Sequence, residues 1–328
     1  MISDTAPALL VADIGGTNTR VALTKGTTIR QDTVARFRNA QHPNLEEVLS
    51  VYVSAHPQEN IEGACVAVAG PVRDGTAELT NLDWKIDHQT VAKPTGARAV
   101  AVLNDLAAQG HALDRIDPGR MRKVMPGSPE QKTSERLVIG VGTGFNCAPV
   151  HETEYGRLVA PSEAGHANLP IRTEDDLELL KYVEAAHGFP AIEDVLSGRG
   201  LERVYTWQSE RAGQKAVKSA SDIVTDCASG SDPVATKAVG VAVRMLGTVA
   251  GNLSLIHLPF GGVFLVGGVA RALAPYFDQG FETAFKDKGR FKEFMADFPV
   301  WVIEDDFAAL LGCAAFMEGR ITRKSWAL

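Results

Sequence analysis

A chain of 328 residues, 45% hydrophobic and 22% charged, has the balance of a folded globular protein and the length for two domains with a sizeable core. A formal net charge of -7 without a long Lys/Arg cluster excludes an electrostatic footprint for nucleic acid or an acidic membrane surface. Four scattered cysteines, Cys65, Cys147, Cys227 and Cys313, have no paired spacing, which argues against a disulfide framework and a zinc site and leaves them as small core residues.

The N-terminus carries Asp4 and no basic segment before its apolar run, so no secretory signal is expected. The apolar region from Leu258 to Ala270 is too short and too Gly-rich to span a bilayer; a cytoplasmic protein with no membrane partner is expected. The first strand runs from Leu9 to Ile14, turns through Gly15, Gly16, Thr17 and Asn18, and returns to a second turn at Lys25-Gly26. This β-turn-β-turn-β pattern excludes a Walker loop, which needs a Lys-Ser/Thr pair opening a helix, and a dinucleotide fingerprint, which needs glycines at a strand-to-helix junction. It leaves a hairpin whose amides and hydroxyls suit phosphate oxygens, with Asp13 at the strand end able to hold Mg²⁺ through water. A plain tight hairpin with a capping Asp fits the same residues.

Next come a helix from Leu45 to His56, a strand over Ala64–Ala69, the turn Gly70-Pro71, the segment Leu79–Trp84 with a short helix, and a strand from Ala97 to Leu103. That strand ends in Asn104-Asp105 and runs into a helix over Leu106–Leu113. A buried strand's end is where open α/β sheets place ligands, and Asn beside Asp suits a polyhydroxyl substrate; a helix N-cap is the bland alternative. After a connector, Asp117 to Glu135, the opening pattern recurs in Leu137–Val150 around Gly142, Thr143 and Gly144, which suggests a duplicated domain. The run Gly140-Val141-Gly142-Thr143-Gly144 fails as a dinucleotide fingerprint, because Phe145 stands where a glycine is needed.

In Pro161–His166, Glu163 and His166 fall three residues apart in a loop of small residues, a spacing that lets both face one ligand if the loop is tight. Glu193 reads equally as a ligand or as a first-turn helix carboxylate. Gly247, Gly251 and Asn252 interrupt a helical stretch, as packing residues under the next strand. That strand, Phe260–Val266, ends in Gly267-Gly268, a junction open to close approach by adenine-ribose. Ala308–Met317 predicts a C-terminal helix with one apolar face.

In order and content these segments resemble the bacterial glucokinases, of the hexokinase, actin and heat-shock chaperone superfamily. The resemblance covers nearly the whole chain: Asp13–Asn18, Thr80-Asn81 with Trp84, Asn104-Asp105, Gly142-Thr143-Gly144, Glu163 with His166, Glu193 with Leu196-Ser197-Gly198, Gly261–Phe264 through Gly267-Gly268, and Phe285–Lys292. It implies a two-lobed α/β fold of the actin-like ATPase (ribonuclease H-like) type, with duplicated mixed-sheet domains about a central cleft. The small lobe would take residues 1–115 and 308–328, the large lobe 116–307. It further implies ATP and Mg²⁺; Gly15, Gly16, Thr17, Asn18, Thr143, Gly144, Gly267 and Gly268 on the nucleotide; Asp13 on Mg²⁺; Asn104, Asp105, Glu163, His166 and Glu193 on glucose; Asp105 as the base for the 6-hydroxyl; and a homodimer.

Two departures mark this chain. Ala164 replaces the first Gly of the family's Glu-Gly-Gly-His loop, and Asn146 stands where the second phosphate turn usually has Gly. Asn tolerates left-handed backbone, so it is expected to preserve the turn, while the Ala164 methyl is expected to narrow the sugar pocket. The cysteine cluster of the related repressor-and-sugar-kinase group is absent. A kinase for another aldohexose or an amino sugar differs only around Glu163, Ala164 and Glu193. A sugar sensor would bind without releasing ADP and usually carries a DNA-binding segment, for which the immediate first strand leaves no room; a filament-forming ATPase would need no sugar pocket.

Overall fold

The computed structural model describes residues 8–79, 82–128 and 135–324, so Thr80 and Asn81 lie outside it. By compactness the chain divides into one unit of Met1–Asp117, Tyr155–Val159 and Asp305–Leu328 and another of Pro118–Glu154 and Ala160–Glu304.

The first unit is built on the expected hairpin, β1 (Ala8–Ile14) and β2 (Asn18–Lys25), antiparallel from Ala8↔Lys25 to Ile14↔Thr19. Gly26, at φ 60°, turns the chain into β3 (Thr28–Ile29), and β4 (Ala35–Arg38) pairs with the start of β2. Helix α1 (Leu45–Ser54) starts where the Asn44 side chain accepts the Glu47 N–H. β5 (Ile61–Val68) joins β1 in parallel. A small sheet of β6 (Val72–Arg73), β7 (Thr76–Glu78) and β8 (Lys85–Ile86) precedes α2 (His88–Thr95), capped by Asp87 and stopped by Gly96 in the left-handed region. β9 (Ala99–Asn104) adds in parallel to β5 and passes directly into α3 (Asp105–Ala112).

The second unit repeats the plan. β10 (Met121–Met125) lies inside what the sequence suggests is a connector; its alternation is too short to stand out, and pairing with a distant strand creates it. β11 (Arg136–Val141) and β12 (Phe145–Thr153) form the second hairpin. The chain leaves for the first unit in Tyr155–Val159, where β13 (Gly156–Val159) carries Arg157, which binds the Asp114 carboxylate and the carbonyls of Gly110 and His111. It returns as α4 (Glu174–His187), α5 (Gly198–Arg211), α6 (Ala220–Ser229) and α7 (Pro233–His257). β14 (Val263–Val266) follows, then α8 (Gly268–Leu273), α9 (Phe281–Lys286) and β15 (Val300–Ile303). β11 and β14 are parallel, as are β14 and β15, so both units place an antiparallel hairpin beside two further parallel strands.

α7 is apolar and long enough to cross a membrane, yet 67% of that window is buried; it is the core helix of its unit. Its Gly247 and Gly251 do not lie under β14 as expected. They let the backbone of α9 approach, since a Cβ at either would strike the carbonyl of Phe281 or Phe285.

Finally α10 (Ala308–Lys324) returns to the first unit. Alternation on β1 and β5 then becomes clear: Leu10, Ala12, Ala64 and Val66 point toward α1 and α2, while Leu9, Val11, Cys65 and Ala67 meet Leu310, Cys313 and Met317 of α10. A sheet covered on both faces needs apolar residues at every position, which is why these strands read as unbroken hydrophobic runs.

Candidate functional site

In the first unit, parallel register brings three strand ends into line: Ile14 pairs with Val68, and Val68 with Asn104. The first turn and the Asn104-Asp105 pair therefore share one edge of the sheet, although ninety residues separate them. In the turn, the Gly15 N–H donates to Asn18 O at 3.0 Å. The N–H groups of Gly16 and Thr17, both exposed, have no protein acceptor among the described residues and suit an anion. Asn39 holds this turn from outside: its Nδ2 donates to Gly15 O at 2.7 Å, its N–H to Thr17 O at 2.9 Å, and Thr19 Oγ1 donates to its Oδ1 at 2.8 Å. Sequence reading missed Asn39, because a buried Asn in a loop carries no pattern of its own.

Asn104 caps α3, its Oδ1 accepting from the N–H groups of Leu106 at 3.0 Å and Ala107 at 3.3 Å, while Nδ2 donates to Gly70 O at 3.0 Å. The cap and the ligand readings are thus compatible: the cap fixes the side chain beside Asp105. The half-buried Asp105 accepts from the Leu106 N–H at 2.9 Å. Burial first, and then the negative charge of Asp13, push its pKa up to about 6 against the helix N–H groups that oppose the rise. Burial likewise raises Asp13, which Arg20 across the hairpin counteracts.

The second unit assembles a different group around its hairpin turn. Gly142 N–H donates to Gly144 O at 2.9 Å, and Gly142 O accepts from the Gly198 N–H at 2.9 Å, so the start of α5 fixes the turn. Ser197, the α5 cap, donates to Glu193 O at 2.8 Å. Glu193, in a short 3₁₀ turn, accepts the Phe145 N–H on Oε2 at 3.0 Å, and a Cβ on Gly144 would strike that same oxygen. The loop carrying Glu163 and His166, both exposed, is bound to the same place: Ile192 N–H donates to Ala167 O at 3.0 Å, and Leu169 N–H to Pro190 O at 2.9 Å. A Cβ on Gly165 would strike Phe145 O, so this glycine lets the loop lie on β12. Gly267, at φ 99°, brings the β14–α8 junction against Val141, while Gly268 has open space where a side chain would begin.

In the second unit the turn with Thr143 and Gly144, the Glu193 carboxylate and the loop carrying Glu163 and His166 are thus tied together by hydrogen bonds, with Gly267 against the end of β11, while Asp13, Gly15–Asn18, Asn104 and Asp105 share one sheet edge in the first. The second turn is preserved with Asn146 in place, as expected, but by a different means. Asn146 does not occupy left-handed backbone: the non-glycine residues with positive φ among the described residues are Asp74 and Leu258. As a β12 residue it has extended backbone, and its side chain works instead.

A sequence profile of the glucokinase family matches residues 10–320. This chain belongs to the glucokinase family. The glucokinase of Mesorhizobium japonicum is 34% identical over 321 residues, covering 96% of this chain and 94% of that protein. That of Brucella suis is 33% identical, covering 94% and 90%. Among solved structures, the glucokinase of an Antarctic psychrotroph superposes with a TM-score of 0.83 at 30% identity, over 94% of this chain and 98% of that one. This glucokinase-family chain therefore has the fold of the hexokinase and actin type, with two six-stranded mixed sheets, and it is an ATP-dependent phosphotransferase.

Proposed function

We propose that this chain transfers the γ-phosphoryl group of ATP to the 6-hydroxyl of D-glucose, giving glucose 6-phosphate and ADP and committing glucose to glycolysis. The observation that carries the reading is Asp105, a half-buried carboxylate of pKa about 6 on the sheet edge that also presents the Gly16 and Thr17 N–H groups, which have no protein acceptor among the described residues. A sugar hydroxyl is a weak nucleophile. Asp105 accepts its proton as the oxygen bonds to the γ-phosphorus and the bond to the β-phosphate oxygen breaks, a contribution typically of about 10²–10⁴ in rate. The amides of Gly16 and Thr17, and the second turn at Thr143 and Gly144, supply fixed dipoles for phosphate charge that grows toward the transition state.

Asn104, Glu163, His166 and Glu193 are the further groups assigned to sugar hydroxyls. Glu193 Oε1 has no protein partner among the described residues, which leaves it for that role. Gly267 and Gly268, with no side chains, are assigned to the nucleotide's ribose and base. Asp13 fits a divalent cation, being a hard oxygen donor held beside the first turn; a bound Mg²⁺ would neutralise charge on the β- and γ-phosphates. The same reading makes the protein a cytoplasmic homodimer, for which light scattering should give twice the chain mass.

A panel of hexoses with ATP and Mg²⁺, following ADP release, tests the assignment. Glucose should exceed mannose, fructose and glucosamine in kcat/KM. No turnover of glucose at millimolar concentration would defeat it, and preference for glucosamine would transfer the assignment to an amino-sugar kinase.

A further inference from the structure

The Asn146 side chain spans from the second turn to the sugar loop. Its Oδ1 accepts the Ala164 N–H at 3.0 Å and the Cys147 N–H at 2.8 Å, with Ser162 Oγ donating to it at 3.3 Å. Its Nδ2 donates to Ser162 O at 2.5 Å and reaches Glu163 Oε2 at 3.4 Å. Backbone donors face the oxygen and two acceptors face the nitrogen, so the carboxamide has a single satisfactory orientation. Neither Gly nor Asp can replace it: Gly removes every contact, and a carboxylate would set negative charge against Ser162 O and the Glu163 carboxylate.

We propose that Asn146 is a positioning residue that clamps the loop Ser162–His166 onto the second phosphate turn and thereby sets hexose affinity. The proposal rests on the hexose-phosphorylation reading above. It accounts for both departures from the family pattern together. Ala164 has less backbone freedom than glycine, and its N–H is the one that Asn146 and Ser162 Oγ (3.0 Å) both accept, so the two substitutions stiffen one short loop. A loop ordered before the sugar arrives loses less entropy when it binds.

The test compares the full-length protein with Asn146→Gly and Asn146→Asp. For Asn146→Gly, KM for glucose should rise about tenfold, from at least two lost backbone-anchoring hydrogen bonds, with kcat within about threefold and KM for ATP within about twofold. Asn146→Asp should raise KM further. Independently of turnover, amide hydrogen exchange in Ser162–His166 should quicken about tenfold in Asn146→Gly, while exchange in β14 stays unchanged. Unchanged exchange in the loop overturns the clamp, as does a glucose KM that does not move or one that rises together with the KM for ATP. If the unaltered protein phosphorylates no hexose, the functional reading fails separately, and loop exchange alone decides the clamp.

Discussion

Asp105 shows how one side chain acquires its chemistry from neighbours that are remote in sequence. Its place at a strand-to-helix junction is legible in the motif Asn104-Asp105, but its pKa is not. That depends on burial and on Asp13, which the parallel register of β1, β5 and β9 brings near. A base must be ionised to accept a proton, so kcat/KM should fall about tenfold per unit as pH drops below about 6. Asp105→Asn should lower kcat at least about 10²-fold and remove this acid limb, with glucose affinity, read by calorimetry, within about an order of magnitude. Equal losses of affinity and rate would take the role of base away from Asp105.

At the scale of elements, the two hairpins were legible because strand, Gly/Thr turn and strand are local patterns. What holds each turn was not. Asn39 supports the first from a loop twenty residues on, and α5 with Glu193 supports the second from some fifty residues on. β10 was missed for the same reason, its partner β15 lying far along the chain. Leu196-Ser197-Gly198 was visible only as part of a resemblance; the structure gives it a physical role in capping α5 and tethering Gly142. Gly267 and Gly268 look interchangeable in sequence, yet they make opposite demands. Gly267→Ala forces a left-handed backbone and a collision with Val141 O, and should cost about 2–4 kcal/mol or more in urea denaturation. Gly268→Ala meets open space at a helix start and should change stability by less than about 0.5 kcal/mol. Equal effects would show that the junction is not built as described.

At the scale of the whole molecule, holding a carboxylate ready to take a proton works against stability. A carboxyl whose folded pKa is about 6, above its unfolded value near 3.8, binds a proton more tightly in the folded state. Its stabilising contribution is complete below the unfolded pKa and is lost as pH rises through the folded pKa. Between pH 5 and pH 8 that loss is about 1.4 kcal/mol for Asp105, and the raised pKa of Asp13 acts in the same direction. Asparagine keeps the carbonyl that accepts the Leu106 N–H and carries no charge. Asp105→Asn should therefore gain about 1.4 kcal/mol on the unaltered protein between pH 5 and pH 8, measured by urea denaturation without Mg²⁺ or nucleotide. The variant that slows turnover at least about 10²-fold is then the one whose stability falls less as pH rises. A stability difference independent of pH would show that Asp105 carries no raised pKa, and with it would go the physical basis for its use as a base near neutrality.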